Sequence, residues 1–104
     1  MAKYLLVYGG GSMPETEAAQ AQAMAAWEAW FGSLGSAVVD QVNPTSHART
    51  VRPDGSVTGD GHPSATGYSI LSAADLDTAV GFAKGCPVLA GGGSIEVCEV
   101  LEIM

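Results

Sequence analysis

The chain opens with a short apolar run, residues 3–8 (KYLLVY), rich in strand formers and ended by Gly9-Gly10-Gly11. A run of this length bounded by glycines predicts a buried strand. Ser12-Met13-Pro14-Glu15 then has the form of a capping box, in which the Ser hydroxyl serves the backbone three residues on and the Glu reaches back. Pro14 suits a first helical turn, where its missing donor costs nothing. Ala19, Ala23, Ala26, Trp27, Trp30, Phe31 and Leu34 recur at three- and four-residue steps, predicting a helix over residues 13–33 with one apolar stripe. Glu15, Glu17, Gln20, Gln22 and Glu28 fall largely off that stripe, and Gly32 and Gly35 are terminating signals.

Residues 36–42 (SAVVDQV) read as a second strand stopped by Asn43-Pro44. Thr50-Val51-Arg52, Pro53-Asp54-Gly55 and Ser56-Val57-Thr58 carry a hairpin signature, with Pro presetting the turn and Gly taking the positive φ. Its lack of large apolar residues predicts a hairpin that projects from the main sheet. Residues 66–71 (TGYSIL) form a third core strand with Tyr68 and Ile70 on one face. Ser72-Ala73-Ala74-Asp75 repeats the capping pattern, and Leu76, Ala79, Val80 and Ala83 give a second helix its stripe. Lys84 sits favourably for the helix dipole, and Gly85 and Pro87 stop the helix. After Gly91-Gly92-Gly93, residues 94–104 read as a last strand.

With the hairpin set aside, the order is strand–helix–strand–strand–helix–strand, the split pattern of an α+β, ferredoxin-like βαββαβ fold. Both helices then cover one face of a four-stranded antiparallel sheet and leave the other bare. Two copies meeting there would close a dimeric α+β barrel. Composition points the same way. Residues 1–104 suffice for one domain, and a domain of this size buries only about 60–70% of its unfolded surface. Hydrophobic residues are 47% and charged residues only 14%, so apolar surface is left over for a homodimer interface.

Four basic residues face eleven acidic ones, a net charge of −7. Lys3, Arg49, Arg52 and Lys84 are scattered, so the sequence argues against nucleic acid and against an anionic membrane as partners. No apolar stretch approaches a signal core or a membrane span, and the cytoplasm is the expected location. Cys86 and Cys98 are then expected to be reduced, buried spectators, since their spacing matches no zinc or redox motif.

The chain resembles the YCII-related proteins, including the subgroup named for an Asp-Gly-Pro-Phe motif, within the dimeric α+β barrel superfamily. The resemblance spans nearly the whole chain. It lies in the opening KYLLVYGG, the tryptophan-bearing first helix, the AVVDQVNP strand, Asp60-Gly61 followed by ATGYSILSAADLDTAVGFAKGCP, and the closing GGGSIEVCEV. It implies the fold and the dimer, and little established chemistry. Some relatives are held to use a helical His with an Asp, and some superfamily neighbours are lyases or monooxygenases. Here the first helix has no His, Met24 or Trp27 stands near the expected place, His62 replaces the motif's Pro, and the Phe is missing. No catalytic role transfers.

Three groups of residues remain as candidate chemistry. Asp60 and His62 share a Gly-rich loop, where a carboxylate could hold one imidazole tautomer and make a general base; Asp-Gly and His-Pro are equally ordinary turn dipeptides. Asp40 stands in an apolar strand, and simple alternation puts it on a face with Val38 and Val42, which predicts partial burial and a place in a pocket. Trp27 and Trp30, with Tyr68, could wall a cleft for a planar ligand or simply be core. His47, His62, Asp40, Asp60 and the thiols show no metal-ligand spacing, and no cofactor is expected. Two readings remain. One is a dimeric module binding a small molecule without catalysis. The other is a small-molecule enzyme, using Asp40 and the Asp60–His62 loop for lyase-like proton transfer on an aromatic or enolisable substrate.

Overall fold

In a computed structural model, which describes residues 1–11, 15–59, 61 and 64–101, four strands pair into one antiparallel sheet. They are β1 (Ala2–Gly9), β2 (Val38–Pro44), β5 (Ala65–Ala73) and β6 (Ser94–Glu99), in the order β2-β5-β1-β6. The helices α1 (Glu17–Leu34) and α2 (Leu76–Ala83) lie between β1 and β2 and between β5 and β6 in sequence. This connectivity and strand order are those of the ferredoxin-like α+β fold. The short strands β3 (Thr50–Val51) and β4 (Val57–Thr58) form a separate two-stranded sheet, as the hairpin signature predicts. Its turn is closed by Arg52 and Gly55, with Gly55 at φ 87° and Asp54 Oδ1 accepting from the Ser56 N–H.

Burial alternates along the central strands. Tyr4, Leu6 and Tyr8 on β1 and Gly67, Ser69, Leu71 and Ala73 on β5 are buried. They form the sheet side of a core completed by Trp30 and Phe31 of α1, Ala79 and Ala83 of α2, and Cys86. Leu5 and Val7 of β1 and Tyr68 and Ile70 of β5 point the other way, to a face that neither helix covers. The first helix buries the predicted stripe except at Ala26, which is exposed, and in α2 Phe82 packs against the core while Leu76 is exposed.

Several element ends differ from the sequence expectation. The first helix begins at Glu17, and its cap is Thr16, whose Oγ1 accepts from the Ala19 N–H at 3.1 Å; Ser12, Met13 and Pro14 of the expected capping box lie outside the described residues. Asp75 is itself the cap of α2, its Oδ1 accepting from the Thr78 N–H at 2.7 Å, rather than the far half of a box opened by Ser72. A short polar side chain in extended backbone satisfies the orphan donors of the first turn wherever it falls. The second strand continues through Asn43 and Pro44, because it is an edge strand on which a proline removes no needed ladder bond. The last strand ends at Glu99.

The most consequential difference lies in β2. Val38 pairs with Leu71, but Asp40 pairs with Ile70 and Asn43 with Tyr68, so the register shifts twice. Such a bulge inserts an extra residue and reverses the facing of the residues beyond it. Val38 therefore turns toward the helices with Leu71, whereas Asp40 joins Ile70 on the open face and is exposed in the isolated chain. The expectation that Asp40 shares a face with Val38 and is partly buried is corrected here. Alternation cannot be counted through a bulge.

Candidate functional site

The side chains that the sequence grouped together are divided between the two faces of the sheet. Trp27 and Trp30 of α1 lie over the covered face, whereas Tyr68 stands on the open one and is 37% exposed. Tyr68 does not wall a cleft with the tryptophans; Tyr8 takes that place, meeting Trp27 edge-on with ring centroids 5.3 Å apart. Trp27 in turn lies 5.8 Å from both Trp30 and Phe31. Trp30 is 6% exposed, and its indole N–H donates to the Phe82 carbonyl at 3.0 Å, joining α1 to α2. These aromatics fill the layer between sheet and helices.

Within that layer is a polar cluster that pattern reading missed. The Tyr8 hydroxyl donates to Ser69 Oγ at 2.6 Å, and both residues are essentially inaccessible. Burial drives the Tyr8 phenol far above its ordinary range, with the Ser69 hydrogen bond offsetting part of the rise. Cys86 sits beside the same hydroxyl, and burial pushes its thiol up as well. At neutral pH both groups hold their protons, so neither is an activated nucleophile. The signal available in the sequence was the period-two placement of Tyr8 and Ser69 on the strand faces that carry Leu6 and Leu71. Cys98, expected to be buried, is half-exposed on the open face, where its thiol donates to Glu96 Oε1 at 3.5 Å. That pairing is secondary to partial desolvation in raising the Cys98 pKa.

One concavity with polar lining is a groove at the glycine-rich end of β1. It is lined by Val7, Tyr8, Ser64, Ala65, Ser94 and Glu96 and encloses about 220 Å³. Three chain departures create it: β1 leaves through Gly9 and Gly10, while β5 and β6 begin at Ala65 and Ser94. The backbone is held open by Thr66 Oγ1 donating to the Tyr8 carbonyl at 3.2 Å, and by Gly10 and Gly11 at positive φ. A carboxylate and two serines thus face one small volume with an apolar floor, an arrangement suited to orienting a small polar ligand. Asp60 and His62 lie outside the described residues; Ser64, which follows them in sequence, lines the groove. Asp40, on the opposite edge strand, does not line it. Among the described residues no three His, Cys, Asp or Glu side chains converge as a metal site would require.

Strand order, connectivity and helix placement together define a ferredoxin-like α+β protein with one sheet face uncovered. No protein-family model and no curated protein matches the chain. Among solved structures it is similar to the 5-chloro-2-hydroxyhydroquinone dehydrochlorinase TftG from Burkholderia phenoliruptrix AC1100, in complex with 2,5-dihydroxybenzoquinone. Identity is 20%, covering 89% of this chain and 90% of that one, with a TM-score of 0.49. The fold rests on the topology itself, and that likeness adds nothing to it. Among the described residues no helix is long and apolar enough to cross a membrane.

Proposed function

We propose that the chain is a YCII-related protein of the cytoplasm that works as a homodimer and binds a small molecule, with no catalysis of its own assigned. The observation that carries the binding reading is the groove beside Tyr8, where Glu96, Ser64 and Ser94 converge. The dimer is supported by the open sheet face. Leu5, Val7, Ile70 and Tyr68 lie there without a covering layer.

Glu96 sets the ligand class. A carboxylate on a protein of net charge −7 repels acids and accepts hydrogen bonds, which favours a small neutral donor such as a phenol over a benzoate. The test is to titrate a panel of simple phenols and benzoates by NMR amide shifts. Phenols should perturb Val7, Ser94 and Glu96, and Glu96→Gln should weaken binding about tenfold or more, as loss of a charge-assisted hydrogen bond requires. Shifts confined to other regions, or equal binding of benzoates, would sink the assignment.

A second reading, lyase-like proton transfer, is favoured by one feature: Ser64, two residues after His62 in sequence, lines the groove. Asp40 has no part in that version, since it lies across the sheet. Turnover of an enolisable phenol lost in His62→Gln, with binding retained, would establish it over the non-catalytic reading.

A further inference from the structure

We infer that the β3–β4 hairpin is a docking arm that seats in the α1–β2 groove of a second copy of this chain, a contact separate from the sheet-face dimer and not dependent on it. The hairpin is the least supported part of the fold. Residues 49–57 are all exposed, and the cross-strand pair Val51 and Val57 stands 68% and 60% exposed. A two-stranded hairpin alone is marginal in water, so an exposed valine pair on such an element calls for a cover. The molecule is correspondingly spread out. Its radius of gyration is 15.3 Å, against about 13 Å for a compact domain of this length.

The groove complements the hairpin in apolar character and in charge. Between the end of α1 and β2 lies an open groove of about 470 Å³, with Phe31, Val38 and Val39 as its apolar wall, Gly32 leaving it clear and Glu28 and Gln41 at its sides. The helix ends there at Gly35 with no basic residue in its last turn, so the negative end of its dipole is uncompensated. The hairpin brings the complement: Arg49 and Arg52 are two of the chain's four basic residues and flank the valine pair. Arg49 already donates to the Gly59 carbonyl, which leaves Arg52 as the hairpin cation to meet Glu28. The hairpin leaves β2 beyond Pro44, where the Thr45 N–H is bonded to the Thr66 carbonyl, whereas the β2 lining of the groove lies upstream, from Gln41 back to Val38, about 10–20 Å along the strand from Pro44, which favours the groove of another copy. One arm entering one groove is a heterologous contact; exchanged reciprocally it closes a pair, and passed on it makes a chain of copies.

Sedimentation velocity across a concentration series tests this, with Arg52→Glu, Glu28→Arg and the doubly swapped variant alongside wild type. Each single reversal places like charges together and should weaken association about tenfold or more. The double swap should restore it. Mixing the two single variants should restore it too, because the reversed arm of one copy then meets the reversed groove of the other. Association unchanged in both singles, no rescue by the double swap, or a wild type that stays monomeric throughout would overturn the inference. Circular dichroism on each variant guards against misfolding, and Val51→Ser offers an uncharged arm variant with the same expected loss. A sheet-face dimer that persists in all variants leaves these outcomes readable, because it does not involve Arg52 or Glu28.

Discussion

Replacing Tyr8 by Phe removes one hydroxyl from the core and leaves the ring contact with Trp27 in place. In the folded chain that hydroxyl donates to Ser69 Oγ at 2.6 Å, with Tyr8 2% and Ser69 0% exposed. Water cannot replace the lost partner at such depth, so Tyr8→Phe should cost about 1–3 kcal/mol, the usual penalty for stranding a buried polar group. Ser69→Ala removes the phenol's oxygen acceptor and leaves it only the Cys86 sulfur, a weak acceptor, so it should cost a similar or somewhat smaller amount. The double variant strands neither group, and its loss should fall short of the sum by about 1 kcal/mol or more. For a chain of this size 1 kcal/mol moves the melting temperature by about 4–8 °C, well within reach of urea titration and thermal melts at one fixed protein concentration. Additivity within about 0.5 kcal/mol would refute the reasoning, because two groups that do not interact lose their contributions independently. The phenol also has a pH signature. Unfolded Tyr8 releases its proton near pH 10 while the folded phenol holds it to higher pH. Above that pH the unfolded state binds fewer protons, so the stabilisation present below about pH 10 drains away as pH rises. Tyr8→Phe should flatten that alkaline decline.

Gly93→Ala should destabilise by about 1–3 kcal/mol, since a Cβ there would lie 2.8 Å from Val88 Cγ2 and 3.0 Å from the Gly9 carbonyl oxygen; Gly81→Ala, inside α2 with nothing within 4 Å, should instead stabilise by about 0.5–1 kcal/mol, and urea midpoints decide both. Thiol labelling of the native protein should mark Cys98 before Cys86, as the latter is 3% exposed; faster labelling of Cys86 would contradict its placement beside Tyr8. Asp75 accepts from Thr78, and these hydrogen bonds lower its pKa, so its contribution to α2 is present above about pH 4 and lost as pH falls through the lowered value. A melt series on Asp75→Ala should show that acid-side slope reduced.

What the chain's pattern could reveal was set by how local each signal is. The apolar run of β1, the tryptophan-bearing stripe of α1 and the Pro53-Asp54-Gly55 turn depend on neighbours in sequence, and each appears where the pattern places it. The strand–helix order gave the topology for the same reason. Asp40 was misplaced because its facing depends on how β2 pairs with β5, and no residue within β2 announces a register shift. Tyr68 was grouped with the tryptophans by type, whereas the partner they meet is Tyr8, on a different strand and two positions from Leu6. The groove could not be read at all, since Tyr8, Ser64 and Glu96 come together only when three strand ends do.

The hydrogen bond between Tyr8 and Ser69 has a meaning for how the sheet finds its alignment. Slide β5 by one residue along β1, and Tyr68 and Ile70 turn under the helices while Ser69 turns out to the open side. An all-aliphatic pair of strands would tolerate that slip with modest loss, because Ile70 is as content in a core as Leu71. The slipped sheet loses the Tyr8–Ser69 bond and turns the hydroxyls of Thr66, Tyr68 and Ser72 under the helices in place of Gly67, Ser69, Leu71 and Ala73, so it must bury three side-chain hydroxyls where the native register buries one. The serine in the middle of an apolar strand is thus part of what makes one alignment of the two central strands more stable than its neighbours.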